Sequence, residues 1–232
     1  LLARSVSPAM SEHIQARSAT AGIEFHIGAR IAGLGGSNGR VSHIELADGR
    51  SLPAHIVILG TGALPNVELA ALAGLTVNNG IEVDAHMRSS DPTILAIGDC
   101  TNFHQFHAGR RLRLECVQNA TDQARHAAKT LVGKAQAYRE LPWFWSDQGD
   151  MKLQTAGLAL DADRTVMTGT PEDNAFAIHH FRDDKLIAVD TINRPADHML
   201  ARRLIGTRAT PTLADVLAGP QRLKEMLKEA AL

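Results

Sequence analysis

The sequence has 232 residues, of which 44% are hydrophobic and 21% charged, and its formal net charge is −1. These values fit a globular protein of one large or two small domains, and the near-neutral charge gives no general field that would favour nucleic acid. No run reaches the roughly 18 consecutive apolar residues that a membrane-spanning helix needs.

The beginning of the chain and its cysteines place it in a broad class. It starts with Leu1-Leu2 and carries no signal-peptide pattern, so we expect a fragment of a longer polypeptide. Cys100 and Cys116 form neither a CxxC pair nor a disulfide framework. This cysteine usage favours a reducing, cytoplasmic setting.

The first sixty residues predict one helix followed by strands. In "SVSPAMSEHIQARSATAG", Ser7 is the expected N-cap, Pro8 the first helical residue and Gly22 the C-cap, with Met10 and Ile14 on the buried face.

Three strands are predicted after this helix. "IEFHIGARIAGLGG" predicts a strand that leads into a glycine-rich turn, and Val41, Ile44 and Leu46 mark the next strand. Asp48-Gly49 is a hairpin turn signal. The continuous apolar run "HIVILG" predicts a strand buried on both faces, as in an α/β sheet.

The middle of the chain predicts two helices and two strands. "VELAALAGLTVNNGIEVDAHMRSSDPTILAIGDC" predicts a short helix, a turn at 78–80 and two strands, the second of which (94–97) stops at Gly98-Asp99. "ECVQNATDQARHAAKTLVG" predicts a longer helix with Asn119 as its cap and Gly133 just past its end. Its small residues predict close packing on a neighbour: Ala120, Ala124, Ala127 and Ala128.

Beyond "AYRELPWFWSDQGD" the composition shifts to short alternating strands: "KLQTAGLAL", "RTVMTG", "AFAIHHF" and "KLIAVDT". Turn signals lie at 161–163 and 183–184. Helices near 195–205 and 223–230 are expected to close the chain. This pattern predicts an antiparallel sheet in a separate domain.

Gly98-Asp99 raises the first question about chemistry. Aspartate is a poor strand residue, and an unpaired charge at a core edge is costly. The pair is therefore either a turn that ends the strand or a carboxylate placed to accept a ligand hydroxyl, with glycine allowing close backbone approach.

Three further stretches also allow a structural or a ligand-binding interpretation. Thr61-Gly62 is either a simple loop exit or a backbone surface against a flat ring or diphosphate. The start of the helix in "LECVQN", just after Glu115, is either an ordinary capped end or a set of N–H donors for developing negative charge. "WFWSDQ", which holds both tryptophans, is either core or a stacking platform at a domain junction.

Two polar clusters are weaker signals. His104 and His107 are three residues apart, but no cysteine or carboxylate set completes a metal site, so we expect none. Arg110, Arg111 and Arg113 are either a solvated face or a docking surface for an acidic protein.

Taken in order, five segments resemble the FAD-dependent, NADH-using ferredoxin reductases, to which the rubredoxin and putidaredoxin reductases are related: "TGALPN", "GIEVDAHMRSSDPTILAIGDCTN", "LECVQNATDQARHAAKTLVGK", "LPWFWSDQGDMKLQTAGL" and "VDTINRP". The resemblance runs from residue 1 to about 205. It implies an α/β fold with an α+β C-terminal domain, a partial glutathione-reductase-like flavoprotein with FAD- and NAD-binding domains. It assigns 1–64 to the remainder of the NAD-binding domain, 65–140 to the returning half of the FAD-binding domain and 141–232 to the C-terminal reductase domain.

The same resemblance implies cofactor contacts, and no protein acid or base is obvious among these residues. Next to Gly98, the Asp99 carboxylate would accept a hydrogen bond from a ribityl hydroxyl of FAD. The Val117 N–H would meet the pyrimidine edge of the flavin, and Trp145 would lie near the flavin and the partner-docking face. Glu115 would lie near the nicotinamide.

On the nicotinamide side, Thr61 and Gly62 would contact NAD. The implied function is electron transfer from NADH through FAD to a [2Fe–2S] ferredoxin or a rubredoxin, serving an oxygenase system. The alternative is a non-enzymatic FAD-binding or partner-docking protein similar to apoptosis-inducing factor.

The chain departs from the family in one important respect. It contains no G-x-G-x-x-G fingerprint, because the glycines of "GLGGSNG" have the wrong spacing. The acidic residue that reads the NAD ribose is missing as well. We therefore expect the chain alone to be inactive and to bind FAD poorly or not at all.

Overall fold

The computed structural model describes residues 1–2, 6–134, 136–207 and 210–230. That part of the chain forms six α-helices and eleven strands in three sheets. It divides into two compact units, one made of Leu1 and Gln15–Leu64 and the other of Leu2–Ile14 and Pro65–Leu232. None of its helices combines the length and the apolar character that crossing a membrane requires.

The first helix begins and ends where the capping signals predict. Helix α1 covers Pro8–Thr20, and the Met10 N–H donates to Ser7 Oγ at 3.3 Å. Gly22 follows the last turn with φ +90°. Met10 and Ile14 are 0% and 2% exposed, so the predicted buried face is confirmed.

The first unit contains an antiparallel sheet in the order β1-β2-β3, formed by Ile31–Ser37, Arg40–Leu46 and Ser51–Pro53. The predicted glycine-rich turn is wrong, because Gly33, Gly35 and Gly36 lie inside β1. The hairpin turns instead at Asn38-Gly39, where both residues have positive φ. A Cβ on Gly36 would lie 2.0 Å from the carbonyl oxygen of Arg40, so this glycine serves close strand approach.

The prediction of a doubly buried strand at "HIVILG" is also wrong. Residues 55–60 form no strand, and Ile56, Ile58 and Leu59 are 82%, 90% and 69% exposed. A strand buried on both faces needs neighbouring strands and covering helices. Within this unit the last strand is β3, which ends at Pro53 and pairs with β2.

The second unit contains a small mixed sheet and helix α3, which packs near it. A short helix, α2, comes first and covers Glu68–Leu72. The sheet has the order β4-β5-β6, formed by Ile81–Val83, Thr101–Gln105 and Arg110–Leu112, with β4 and β5 parallel. Helix α3 covers Val117–Leu131. One buried cluster belongs to this region: Val83, Met87, Phe103, Ala127 and Tyr138.

Residues 94–97 are extended but do not form the predicted strand. Arg88 and Leu95 make one isolated bridge, and the Ala96 N–H donates to the Met87 carbonyl at 3.1 Å. These few backbone hydrogen bonds, all with the segment around Met87–Ser89, are too few to form a continuous strand pair. The segment leads directly into a 3-10 turn at Gly98–Cys100.

The rest of this unit is a five-stranded antiparallel sheet with helices. The sheet has the order β7-β8-β11-β10-β9, and its strands are Trp143–Gln148, Met151–Gly157, Arg164–Thr170, Ala175–Arg182 and Lys185–Ile192, numbered β7 to β11 along the chain. Helices α4, α5 and α6 cover Pro195–Leu204, Leu213–Leu217 and Pro220–Glu229. The four predicted alternating strands are confirmed as β8 to β11. The sequence pattern does not predict helix α5, and it marks the segment of strand β7 only as an aromatic cluster.

Gly157 ends β8 in a conformation that only glycine adopts easily. Its φ is +79°, and a Cβ there would lie 2.1 Å from the carbonyl oxygen of Ile187 on the adjacent strand. We expect Gly157→Ala to lower the free energy of unfolding by about 1–3 kcal/mol more than Gly149→Ala does. Gly149 also has a positive φ, +63°, but open space around it. Its alanine variant therefore measures the cost of the backbone conformation without a steric clash. Equal losses in denaturant unfolding would contradict the predicted steric clash.

Candidate functional site

The Gly98–Cys100 turn is fixed by a glutamine from helix α3. Gly98 is buried, has φ +80°, and donates its N–H to Gln123 Oε1 at 2.7 Å. Thr101 Oγ1 lies 2.8 Å from the Gly98 carbonyl and 3.0 Å from the same Gln123 oxygen. The Asp99 carboxylate therefore lies on a turn that helix α3 fixes through Gln123.

Helix α3 starts before the predicted cap. Cys116 is the N-cap residue, with φ −160° and ψ 149°, and its side chain makes no capping bond. The prediction of Asn119 as cap is wrong, because it is the third helical residue and donates Nδ2 to the Leu114 carbonyl at 3.2 Å. Gly133 follows the end of the helix with φ +70°, as predicted. Val117, the first residue of the helix, is 68% exposed.

The buried face of α3 is mainly polar. Gln118, Asn119, Gln123 and Thr130 are buried together with Ala127. The predicted alanine face is wrong in part, since Ala124 and Ala128 are exposed. Ala120 does approach the turn, 3.6 Å from where a Cβ on Gly98 would lie. The irregular backbone around α3 needs hydrogen-bond partners, which alanine cannot provide.

The same helix contacts the tryptophan strand. The backbone N–H of Trp143 donates to Gln118 Oε1 at 3.3 Å. The Trp143 and Trp145 rings lie 5.5 Å apart, and the Arg202 guanidinium lies 4.0 Å from the Trp143 ring centroid. Trp145 remains 47% exposed. Helix α3 thus joins the turn that carries Asp99 to the strand that carries Trp145.

Arg113 holds Glu115 beside the turn. Its guanidinium pairs with the Glu115 carboxylate and donates to the main-chain oxygen of Asp99 at 3.3 Å. The Arg113 side chain is only 14% exposed. The Asp99 carboxylate itself is exposed, and no donor to it is found in the part of the chain that the structure describes. It is therefore available as an acceptor.

Cys116, at the start of α3, is not activated as a nucleophile. Burial raises the pKa of its thiol. This effect outweighs the backbone N–H groups of Asn119 and Gln118, which lower that pKa. The thiol is therefore protonated at neutral pH.

Thr61 and Gly62 belong to the first compact unit. Both are exposed, and Gly62 has φ +96° with open space around it. The structure thus brings together Gly98, Asp99, Glu115, Val117 and Trp145 around α3, while Thr61 and Gly62 are described with the other unit alone.

The three arginines of the basic run are not a free positive patch. Arg110 pairs with Asp161 at 3.1 Å, Arg111 with Glu82 at 3.5 Å, and Arg113 with Glu115. Their interpretation as a solvated face is wrong for Arg113, which is largely covered. Among the described residues, no group of three or more His, Cys, Asp or Glu side chains is arranged to hold a metal ion.

Comparison with known proteins decides the family. Residues 1–124 match the family model described as pyridine nucleotide-disulphide oxidoreductase. The chain belongs to the pyridine nucleotide-disulphide oxidoreductase family. Residues 143–227 of this family member also match the model described as reductase C-terminal.

Curated relatives of this chain include rhodocoxin reductase of Rhodococcus erythropolis, 39% identical over 89% of the chain and 48% of the relative. Putidaredoxin reductase of Pseudomonas putida is 38% identical over 90% of the chain and 50% of that protein. The chain therefore spans about half the length of the curated relatives it matches.

Solved structures support the predicted flavoprotein fold. The ferredoxin reductase for the CYP199A2 system from Rhodopseudomonas palustris is 40% identical with a TM-score of 0.89, covering 100% of this chain and 56% of that one. The covalent putidaredoxin reductase–putidaredoxin complex gives 36% identity and the same TM-score, covering 99% and 56%. The predicted fold, part of an FAD- and NAD-binding flavoprotein fold, is confirmed.

Gln118 and Gln123 are the site residues that sequence reasoning missed. Both lie in a segment that carries the family resemblance, but their spacing of five along a helix does not distinguish them from surface glutamines. Their importance comes from the distant groups that they contact, the Trp143 N–H and the Gly98 N–H.

Proposed function

We propose that this chain forms part of a reductase that passes electrons from NADH through FAD to a [2Fe–2S] ferredoxin or a rubredoxin, serving an oxygenase system. The observation that carries the proposal is the position of α3, which joins the Asp99 turn to the Trp145 strand. Relatives that are named rhodocoxin, putidaredoxin and rubredoxin reductases support it.

The residues around α3 fit the flavin end of FAD. Asp99 offers an exposed carboxylate to accept from a ribityl hydroxyl, on a turn that Gln123 fixes through the Gly98 N–H. Val117 offers a backbone N–H at an exposed first turn that lacks a side-chain cap. The diphosphate of FAD is bound by a glycine-rich turn, and the 232 residues contain no G-x-G-x-x-G sequence that would form one. These residues would therefore hold only part of the cofactor.

FAD, when bound, would supply the acceptance of hydride and the release of single electrons. The residues of this chain would orient the cofactor and stabilise charge on it. The first turn of α3 carries about half a positive charge, and it is uncapped by a side chain. It would therefore stabilise negative charge on a group that faces it. Asp99 would fix the orientation of that group through its hydroxyl-bearing chain.

The remaining assignments complete the proposal. Residues 1–64 would be the remainder of an NAD-binding domain, 65–140 the returning half of an FAD-binding domain and 141–232 the C-terminal reductase domain. Thr61 and Gly62 would contact NAD, and Glu115, held by Arg113, would lie near the nicotinamide.

The partner and the setting follow from exposed groups. Trp145, nearly half exposed beside α3, would lie near the docking face for the iron–sulfur or rubredoxin partner. A solved structure titled as the covalent complex of putidaredoxin reductase and putidaredoxin supports this kind of partner. The free thiols of Cys100 and Cys116 support a cytoplasmic setting.

The test uses the polypeptide encoded by the complete gene. We expect it to purify with flavin absorbance and to reduce a [2Fe–2S] ferredoxin or a rubredoxin with NADH as the electron donor. Stopped-flow absorbance separates reduction of the flavin from reduction of the partner protein. Retained flavin without electron transfer to any such partner would favour the non-enzymatic docking alternative, and absence of bound flavin would contradict both.

Asp99→Ala in that polypeptide should weaken FAD retention. Loss of a hydrogen bond to a charged acceptor costs about 1.5–3 kcal/mol, so the dissociation constant should rise roughly ten- to 150-fold. Fluorescence titration of the apoprotein measures it. Asp147→Ala, an exposed aspartate of β7, is the matched control and should leave the constant unchanged. Equal affinities in the two variants would remove Asp99 from the cofactor site.

A further inference from the structure

We propose that Arg113 is a positioning residue that neutralises Glu115 and so prevents the nicotinamide site from favouring NAD⁺, the oxidised product, over NADH. Resting on the proposed function, in which Glu115 lies near the nicotinamide, this role makes the ion pair control which redox form of the dinucleotide binds better.

Arg113 is held in place by four other residues. Its side chain is 14% exposed, and its guanidinium pairs with the Glu115 carboxylate. Nε donates to Asn79 Oδ1 at 3.3 Å, and Nη1 donates to the Asp99 carbonyl at 3.3 Å. Its aliphatic part lies close to the backbone at Gly80, where a Cβ would come within 3.1 Å of Arg113 Cδ. The positive charge is therefore fixed beside Glu115.

The two charges of this pair cancel each other. Within the described part of the chain, the only ion pair of Arg113 is with Glu115, and Glu115 has no second cationic partner. The Glu115 side chain is 40% exposed, so a ligand can approach it while the guanidinium stays covered. A ligand at this carboxylate therefore meets a neutral pair, and loss of the arginine would leave a net negative charge there.

The two redox forms of the dinucleotide differ in charge at the nicotinamide ring. The ring of NAD⁺ is cationic and the ring of NADH is neutral, while the rest of the molecule is the same. An unpaired carboxylate beside the ring would attract NAD⁺ and act much less on NADH. Because NAD⁺ is what remains after NADH has given up its hydride, such a site would retain its product. Arg113 removes this preference.

The experiment uses the FAD-containing polypeptide of the complete gene and two ligands. One is NAD⁺, and the other is an NADH analogue with a tetrahydronicotinamide ring, which is neutral and cannot donate hydride. Titration calorimetry gives both dissociation constants, and their ratio is the readout. Arg113→Gln should tighten NAD⁺ relative to the analogue about tenfold, which corresponds to about 1.4 kcal/mol. Arg113→Lys keeps the charge and should restore most of the original ratio.

A merely structural role for Arg113 would weaken both ligands equally. An unchanged ratio in Arg113→Gln would therefore overturn the proposal while leaving the proposed function intact. Binding of neither ligand by the unmodified polypeptide would contradict the proposed function itself, and the role of Arg113 with it.

Two further variants make the test specific to this charge. Arg110→Gln removes an exposed arginine of the same run, which pairs with Asp161 at 3.1 Å, and should leave the ratio unchanged. Glu115→Gln should shift the ratio in the opposite direction, because it leaves the guanidinium unpaired beside the ring. Equal shifts in Arg110→Gln and Arg113→Gln would show an effect of overall charge and would overturn the assignment.

Discussion

Replacing Asp190 with alanine should lower the free energy of unfolding by about 3–5 kcal/mol. Asp190 lies on β11 and is 3% exposed. Its Oδ2 accepts from His180 Nε2 at 3.0 Å and from the Ser7 N–H at 3.2 Å. Alanine would leave both donors buried without an acceptor, and each unsatisfied donor is costly.

This carboxylate connects parts of the chain that are 183 residues apart. Ser7 is also the residue that caps α1 through its hydroxyl. Loss of the carboxylate should therefore loosen the first turn of α1 as well as the sheet. Hydrogen exchange should show faster exchange of the Ser7 and Met10 amides in Asp190→Ala.

Two variants make the Asp190 prediction specific. Asp190→Asn keeps one side-chain oxygen as an acceptor, so it should lose less stability than the alanine variant. Asp147→Ala removes an exposed aspartate from the same sheet and should change stability by less than about 0.5 kcal/mol. Denaturant unfolding measures all three. A loss in Asp190→Ala no larger than that in Asp147→Ala would contradict the role of the buried pair.

Features set by local chemistry are those that the sequence predicts well. Ser7 caps α1, Gly133 ends α3, and Asp183-Asp184 turns between β10 and β11 with both residues at positive φ. Each of these depends on a few neighbouring residues, whose side chains and backbone conformations act over one turn of chain.

Features that need distant partners are predicted less well. The run at 55–60 has strand composition but no neighbouring strand within its unit, so it forms no strand and its apolar side chains are exposed. Arg113 belongs to a basic run, yet it is covered because Glu115, Asn79 and the Asp99 carbonyl surround its guanidinium. Sequence spacing does not show these contacts.

The residues of the candidate site also divide into those that the sequence reveals and those that only distant contacts reveal. Asp99 is noticeable in sequence because a carboxylate is unusual where an apolar run stops. Gln123 is not, because a glutamine in a helix is ordinary until its partners are known. Its value comes from Gly98, 25 residues earlier, whose buried N–H needs an acceptor that the irregular turn does not provide.

Gln123→Met should therefore destabilise the protein by about 1–3 kcal/mol and loosen the Asp99 turn. Methionine fills a similar volume but cannot accept from the Gly98 N–H or from the Thr101 hydroxyl. The hydroxyl keeps the Gly98 carbonyl as a partner, so the larger part of the loss belongs to the Gly98 N–H. The Gly98 amide should exchange with solvent at least about tenfold faster, since tenfold corresponds to about 1.4 kcal/mol.

The choice of control separates this role from general loss of a glutamine. Gln221→Met changes an exposed glutamine of α6 and should leave both stability and Gly98 exchange unchanged. In the polypeptide of the complete gene, Gln123→Met should also speed FAD dissociation, because the carboxylate that would hold the ribityl chain sits on the loosened turn. If Gly98 exchange rises while flavin dissociation does not, Gln123 supports the fold alone, and the turn does not hold the cofactor.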